Sequence, residues 1–461
     1  MMPSYTRFVL RFLPFGIIAL FFWHKYPFFS LPYFLDEMGV YIQSVYHMAS
    51  HQIRLAPDAV PPEFSRGHPL LFSWIYAWPF RFFGYTKESV HALSWGITAI
   101  LALSIYFHTL KLSSAGSALI ALVVFLIQPV VLAQSTLVLP EMFHALLFFL
   151  AYLALFYNRY LLYFFITSGA LLVKESGLIL VASAFAWRVV HLRGTYKEMI
   201  RQGCVILSPL IVFFAWFIWQ KKLLGWYFFP LHLDLMKWSF SNALSQMQQG
   251  FDFLFLSQGR RLITQASLIL LAVSLLQGYR SRLAQHLFPF FWLLAATLAF
   301  VSVNFFMHRY FLLLFPLWSV FVGLSFYPLR KHLLIIISVL VMFLWNVFPH
   351  INSGKFTYDI DYSFRDNLML QQKAYHVITD NVKTGDTLYT SFLLWSAFHY
   401  DINGFKDFHH IPVTMVWDDA FTYAAYVTAD EQKAVLKDYS QLELLWRDSC
   451  NQLKAEFYRR K

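Results

Sequence analysis

The chain has 461 residues, of which 58% are hydrophobic, 20% aromatic and only 13% charged, against about 25% charged in an ordinary soluble domain. Uncharged runs at 90–109, 112–140, 203–220, 262–279, 283–308 and 310–329 approach or exceed the roughly 20 residues that a helix needs to cross hydrocarbon, which excludes a water-soluble protein. The net charge of +11 is uneven: 355–461 holds 12 basic and 15 acidic residues, leaving 24 basic and 10 acidic in the first 354, and no basic patch with interleaved aromatics points to nucleic acid.

The first predicted span covers 8–23, and no small-residue cleavage site follows it, so it reads as a retained helix and not a removed signal peptide. A long segment, 25–89, comes next. Within it Met38, Tyr41, Ile42, Val45, Met48, Ala49 and Ile53 recur at three and four, with Gln43, His47, Ser50, His51 and Arg54 opposite, the pattern of a helix lying in the membrane interface. Residues 68–83 are apolar but broken by Pro69, Pro79 and Arg81, and either span or dip. Further spans are expected at 90–109, 115–133, 142–158, 159–173, 176–190, 203–220, 262–278, 285–306, 310–327 and 333–349. The short loops that carry Lys111, Arg159, the Arg188/Arg193/Lys197/Arg201 cluster, Arg280/Arg282 and Arg330/Lys331 then fall on the cytoplasmic side. That makes eleven spans if 68–83 does not cross, with the tail outside. The segments flanking Lys174 and Glu175 are short and read as a helical hairpin whose outer turn carries those charges.

The expected domains are therefore a transmembrane unit, 1–350, and a charged extracytoplasmic unit, 351–461. The second reads as a small α/β or α+β domain with a helix at 364–380, a strand at 387–391 and a closing helix at 429–457. Cys204 lies in an apolar run and Cys450 in the tail, so no disulfide is expected, and zinc-module spacings are absent.

Ten acidic residues serve the whole membrane part: Asp36, Glu37, Asp58, Glu63, Glu88, Glu141, Glu175, Glu198, Asp234 and Asp252. Asp36 and Glu37 follow the apolar run 31–35, and Glu141 ends the uncharged run 112–140. In this topology both places face the same side of the membrane, where a charge beside hydrocarbon is costly unless it is used or solvated. Glu141 also suits a helix N-terminus, where the dipole favours an acid. Glu141 and His144 share the Glu-x-x-His spacing of some metal sites, and His47 and His51 are one helical turn apart. Either pair with Asp36 could hold a divalent ion, although no metal is required.

Asp36-Glu37 with Tyr41, then His68-Pro69-Leu70 opening a segment that ends in Phe82-Phe83-Gly84, resembles the first extracytoplasmic loop of the C-type (GT-C) membrane glycosyltransferases. The order continues with Pro129, Leu139-Pro140-Glu141, Leu172-Val173-Lys174-Glu175 and Arg309-Tyr310 with Pro316, over about residues 8–350. The chain is most similar in this to protein O-mannosyltransferases, aminoarabinose transferases and their bacterial cousins. It departs from them at Leu70, where the family often has a second proline, and at Glu141, where it often has Asp.

The resemblance implies an enzyme of the bacterial inner membrane that moves a sugar from a polyprenyl-phosphate carrier to a lipid, glycan or protein hydroxyl at the outer face. A lipid phosphate is already a good leaving group, so the need is for a base on the acceptor hydroxyl. Asp36 is the expected base, with Glu37 and Glu141 as further catalytic carboxylates and inversion at the anomeric carbon. Arg309, Lys174 and Tyr310 are expected at the donor phosphate, and Tyr41 and His68 would position the acceptor or its loop. The rival is a transporter or flippase for a lipid-linked sugar. That reading calls for charges near mid-membrane and broken helices in matching halves, whereas the charges here sit at segment ends.

Overall fold

The computed structural model describes residues 4–190, 195–230, 233, 239–276, 280–303, 307–329, 333–354, 358–383, 385–400, 402–405, 411–417, 421–429, 439–450 and 452–461. Arg193, Asp234, Arg330 and Lys331, named above, lie outside the described residues, as does all of 430–438 near the start of the expected closing helix.

The chain opens with α1 (Ser4–Lys25), a 3-10 turn Tyr26–Phe28 and then a loop to a π-helical turn, Glu37–Tyr41, which runs into α2 (Ile42–Ser50). The amphipathic pattern over 38–54 does yield a helix as far as Ser50, and protein covers part of its expected polar face. Gln43, expected on the polar face, is buried and donates 2.8 Å hydrogen bonds to the carbonyls of Met38 and Ile402. A polar side chain can be buried there because the C-terminal domain supplies its acceptor. Next comes α3 (Leu71–Phe82), which at 12 residues is about 18 Å long and too short to cross a core of about 30 Å. It packs on α2 and on α4 (Lys87–Leu112).

The expected span at 115–133 is interrupted. α5 (Ala115–Leu126) ends before Gln128, and Pro129, which lacks an N–H, starts a separate short helix, Pro129–Gln134. The break is satisfied by side chains: Gln128 donates to the Val124 carbonyl and accepts from the fully buried Arg260 at 3.1 Å. Beyond it run α6 (Pro140–Phe156), α7 (Tyr160–Val173) and α8 (Leu178–Val190), the last two separated at Lys174–Gly177 as the hairpin reading requires. α9 (Tyr196–Leu207) and α10 (Pro209–Leu224) meet at a bend of 43° at Ser208-Pro209. α11 (Phe240–Phe255) was not anticipated. α12 (Arg260–Leu276), α13 (Arg280–Val303), a 3-10 turn His308–Leu314, α14 (Phe315–Ser325) and α15 (Leu333–Ile351) complete the bundle.

Among the described residues three helices are long and apolar enough to cross a membrane unaided: Lys87–Leu112, His308–Ser325 and Leu334–Ile351. The bent α9–α10 pair makes a fourth if taken as one span. The expected eleven are not reached on length and composition, because prolines and polar breaks divide several apolar stretches into helices of 12–17 residues. Leu161, Ile211, Ile269, Leu334 and Trp345 are exposed on the outside of the bundle, the surface that lipid would cover.

After α15 the chain builds a mixed sheet. α16 (Ser363–Asn381) and β1 (Leu388–Thr390) stand where expected, followed by α17 (Phe392–His399), β2 (Val413–Thr414) and β3 (Tyr423–Ala429). Over 442–450 and 453–457 the closing helix is not formed. In its place β4 (Leu442–Cys450) and β5 (Leu453–Arg460) make an antiparallel hairpin, and the strand order is β2-β1-β3-β5-β4. Leu453, Ala455 and Phe457 are buried at every second position of β5, which pairs with β3 from Tyr423↔Arg459 to Ala429↔Leu453. Tertiary pairing of this kind overrides the helix preference of the Leu, Lys and Glu in the segment. The domain seats on the first loop: Tyr33 N–H donates to the Asn403 carbonyl and Lys87 Nζ to that of Gly404.

Candidate active site

Four segments far apart in sequence converge on one guanidinium. Arg309 sits in the 3-10 turn that precedes α14, with its side chain only 4% exposed. One terminal nitrogen donates to Asp36 Oδ2 at 2.6 Å, the other donates to Asp359 Oδ2, and Nε lies 3.2 Å from Glu141 Oε1. Lys174 Nζ donates to the same Glu141 oxygen at 2.8 Å and stands 4.1 Å from the centre of the Tyr310 ring. Two cations thus face three carboxylates.

Local structure explains how each group is presented. Asp36 follows Leu35, whose φ of +46° lies in the left-handed region that a leucine rarely adopts. The neighbouring Glu37 fixes this turn: one of its carboxylate oxygens accepts the Phe34 N–H at 2.8 Å, and the other accepts the Val138 N–H. Glu141 stands in the first turn of α6 behind Pro140, where its charge meets the positive end of the helix dipole. Lys174 caps α7 in extended backbone, φ −159° and ψ 143°, so the chain turns outward there before α8. Asp359 follows Tyr358 in the link after α15, and Gln134 anchors that link by donating to the Asp359 carbonyl at 2.9 Å.

The three carboxylates are not equivalent. The Asp36 side chain is 29% exposed, whereas those of Glu141 and Asp359 are 3% exposed, so Asp36 is the one that reaches the surface. Burial pushes the Asp359 carboxyl above its ordinary range, against the pull of Arg309. One oxygen of Glu141, Oε2, is buried without a partner.

Of the residues singled out in the sequence, Asp36, Glu141, Lys174, Arg309 and Tyr310 come together. Tyr41 and His68 line a crevice with Ser44, Ser73 and Lys174 at its flank, with room for about one water. His68 Nδ1 lies 2.9 Å from Glu175 Oε2, which ties the first loop to the turn between α7 and α8. Glu37, expected as a catalytic carboxylate, is fully buried on backbone N–H groups, and burial pushes it up to about 8. It holds the loop instead of facing the cluster. Glu141 and His144 are one helical turn apart but go to different partners, His144 Nε2 reaching Ser176 Oγ at 3.0 Å. Among the described residues no group of three or more His, Cys, Asp or Glu side chains could hold a metal. Asp359 is not among the expected site residues, because 351–461 reads from the sequence as a separate domain. The available signal was its place among the first acids after the last span, on the side that carries Asp36.

The fold, a helical bundle joined to a small mixed sheet, has counterparts among solved structures. It is similar to ArnT from Cupriavidus metallidurans, with TM-score 0.58 for the apo state and 0.56 for the form bound to undecaprenyl phosphate, at 11% identity over 96% of this chain and 98% of that one. The oligosaccharyltransferase of Archaeoglobus fulgidus, solved with Zn and sulfate, superposes with TM-score 0.47 and 12% identity over 86% of this chain and 64% of that one. No family model and no curated protein matches the chain.

Proposed function

We propose that the chain is an integral membrane glycosyltransferase that moves a sugar from a polyprenyl-phosphate carrier to a hydroxyl of a lipid, glycan or protein at the extracytoplasmic face, with inversion. The observation that carries this reading is the partly exposed Asp36 carboxylate held by Arg309 beside the Lys174–Glu141 pair. The undecaprenyl phosphate in the ArnT structure of the same fold supports a lipid-phosphate donor.

Both cations are neutralised by carboxylates, so a donor phosphate must exchange with one of them. Asp36 is the exposed partner of Arg309 and gives way most readily. Phosphate on Arg309 and Lys174 would then free Asp36 to take the acceptor proton, coupling donor binding to activation of the base. The acceptor oxygen bonds to the anomeric carbon, the bond from that carbon to the phosphate oxygen breaks, and the polyprenyl phosphate leaves with its charge held by the two cations. No step needs a metal.

Envelope glycans and glycoproteins from cells with and without the gene, compared by mass spectrometry, identify the transferred sugar. Asp36→Asn should insert normally and abolish that transfer; full transfer by this variant sinks the assignment.

A further inference from the structure

At the far end of α6 from Glu141, about 17–23 Å along the helix axis, the bundle holds a second cavity of about 370 Å³. Its walls include Tyr152, Ser183, Trp187, Arg188, Gln202 and Trp292, from α6, α8, α9 and α13. That volume lies in the range of small-ligand sites, and most of the lining is aromatic or aliphatic. Two polar groups in it want a partner. Ser183 is 3% exposed, and its hydroxyl has no hydrogen-bond partner. Among the described residues Arg188 makes one hydrogen bond, from Nε to Gln202 Oε1, and its terminal nitrogens have no acceptor there, although its charge also acts on Glu198, which accepts from Gln202.

An apolar chamber between membrane helices with an under-used guanidinium suits an amphiphile with an anionic head. The surroundings agree in charge: Lys111, Arg159, Lys197 and Arg201 lie at this end of the bundle, against Glu198, which pairs with Arg201 at 2.9 Å. Tryptophans in the wall suit the level where headgroup meets hydrocarbon.

We infer that this cavity is a binding site for an anionic phospholipid, its phosphate on Arg188 and an acyl chain running past Ser183. It lies at the other end of α6 from the candidate active site and does not depend on the transferase reading.

The test is native mass spectrometry of the full-length protein in detergent, titrated separately with phosphatidylglycerol, phosphatidylcholine and undecaprenyl phosphate. Phosphatidylglycerol should give a saturable first adduct that phosphatidylcholine does not match. Arg188→Ala and the cavity-filling Ala184→Trp should each weaken that adduct about tenfold, the scale of one charge-assisted hydrogen bond. Arg188→Lys should keep part of it. Arg81→Ala, which removes an exposed charge elsewhere, should leave it unchanged. Equal binding of the two phospholipids, or an Arg188→Ala variant that binds phosphatidylglycerol like the parent, overturns the proposal. Loss of undecaprenyl phosphate alone in Arg188→Ala also overturns it, by making the occupant a polyprenyl carrier.

Discussion

Arg309 holds three carboxylates that would otherwise repel one another inside a region of low dielectric. Removing one partner of a buried ion pair costs about 3–5 kcal/mol, so Arg309→Ala should lower the thermal midpoint in detergent well beyond the effect of a surface substitution. Arg309→Lys should recover much of that stability, since it restores the charge, but not the fork that spans Asp36 and Asp359. On the proposed function it keeps a raised Michaelis constant for the donor, and an unchanged constant excludes Arg309 from the phosphate site. Glu37 makes the second prediction at this scale. Its carboxyl is raised to about 8 by burial, so the folded state holds that proton more tightly than the unfolded chain does. The stability it contributes is complete below the ordinary carboxylate range and is lost as pH rises through about 8. Thermal midpoints between pH 6 and 9 should therefore fall more steeply for the parent than for Glu37→Gln, and parallel curves would show that Glu37 does not titrate there.

Among the elements, the pairing of α5 with α14 depends on one missing methyl group. A Cβ on Gly323 would stand 2.5 Å from the Ser117 carbonyl oxygen and 2.9 Å from Ala121 Cβ. Small residues at such crossings let helix backbones approach closely where no hydrophobic gradient drives them together. α14 also follows directly from the turn that carries Arg309. Gly323→Ala should cost about 1–3 kcal/mol, the usual range for overpacking, and should lower both the melting temperature and, on the proposed function, transfer activity. Gly16→Ala, with open space around it, serves as the control.

The whole molecule joins its membrane part to its sheet domain through the first loop and the link after α15. Gly404 has φ +79°, and a Cβ there would meet Pro32 Cα at 2.9 Å and Tyr33 N at 3.0 Å. Gly404→Ala should open this junction and speed proteolysis within 25–60 while the bundle stays intact. An unchanged cleavage pattern would mean that the seating does not order the loop. The same junction brings Asp359 to the guanidinium that holds Asp36, so the C-terminal domain helps build the site and does more than cover it.

Composition and uncharged runs were enough to establish a helical membrane protein, because the cost of charge in hydrocarbon acts on every residue of a span and leaves its mark along the chain. The placement of Asp36, Glu141, Lys174 and Arg309 at segment ends on one side was legible for the same reason, and those four do meet. Three things were decided only by the tertiary structure. Glu37 turned inward because the Phe34 and Val138 N–H groups needed an acceptor, and Val138 is distant in sequence. Leu442–Cys450 and Leu453–Arg460 became strands because β3 offered an edge to pair with, which outweighs local propensity. Asp359 joined the cluster because the link after α15 is pinned by Gln134 and Gln258, partners that no local pattern announces. Solvation is read one residue at a time, whereas hydrogen-bond partners are chosen across the whole chain.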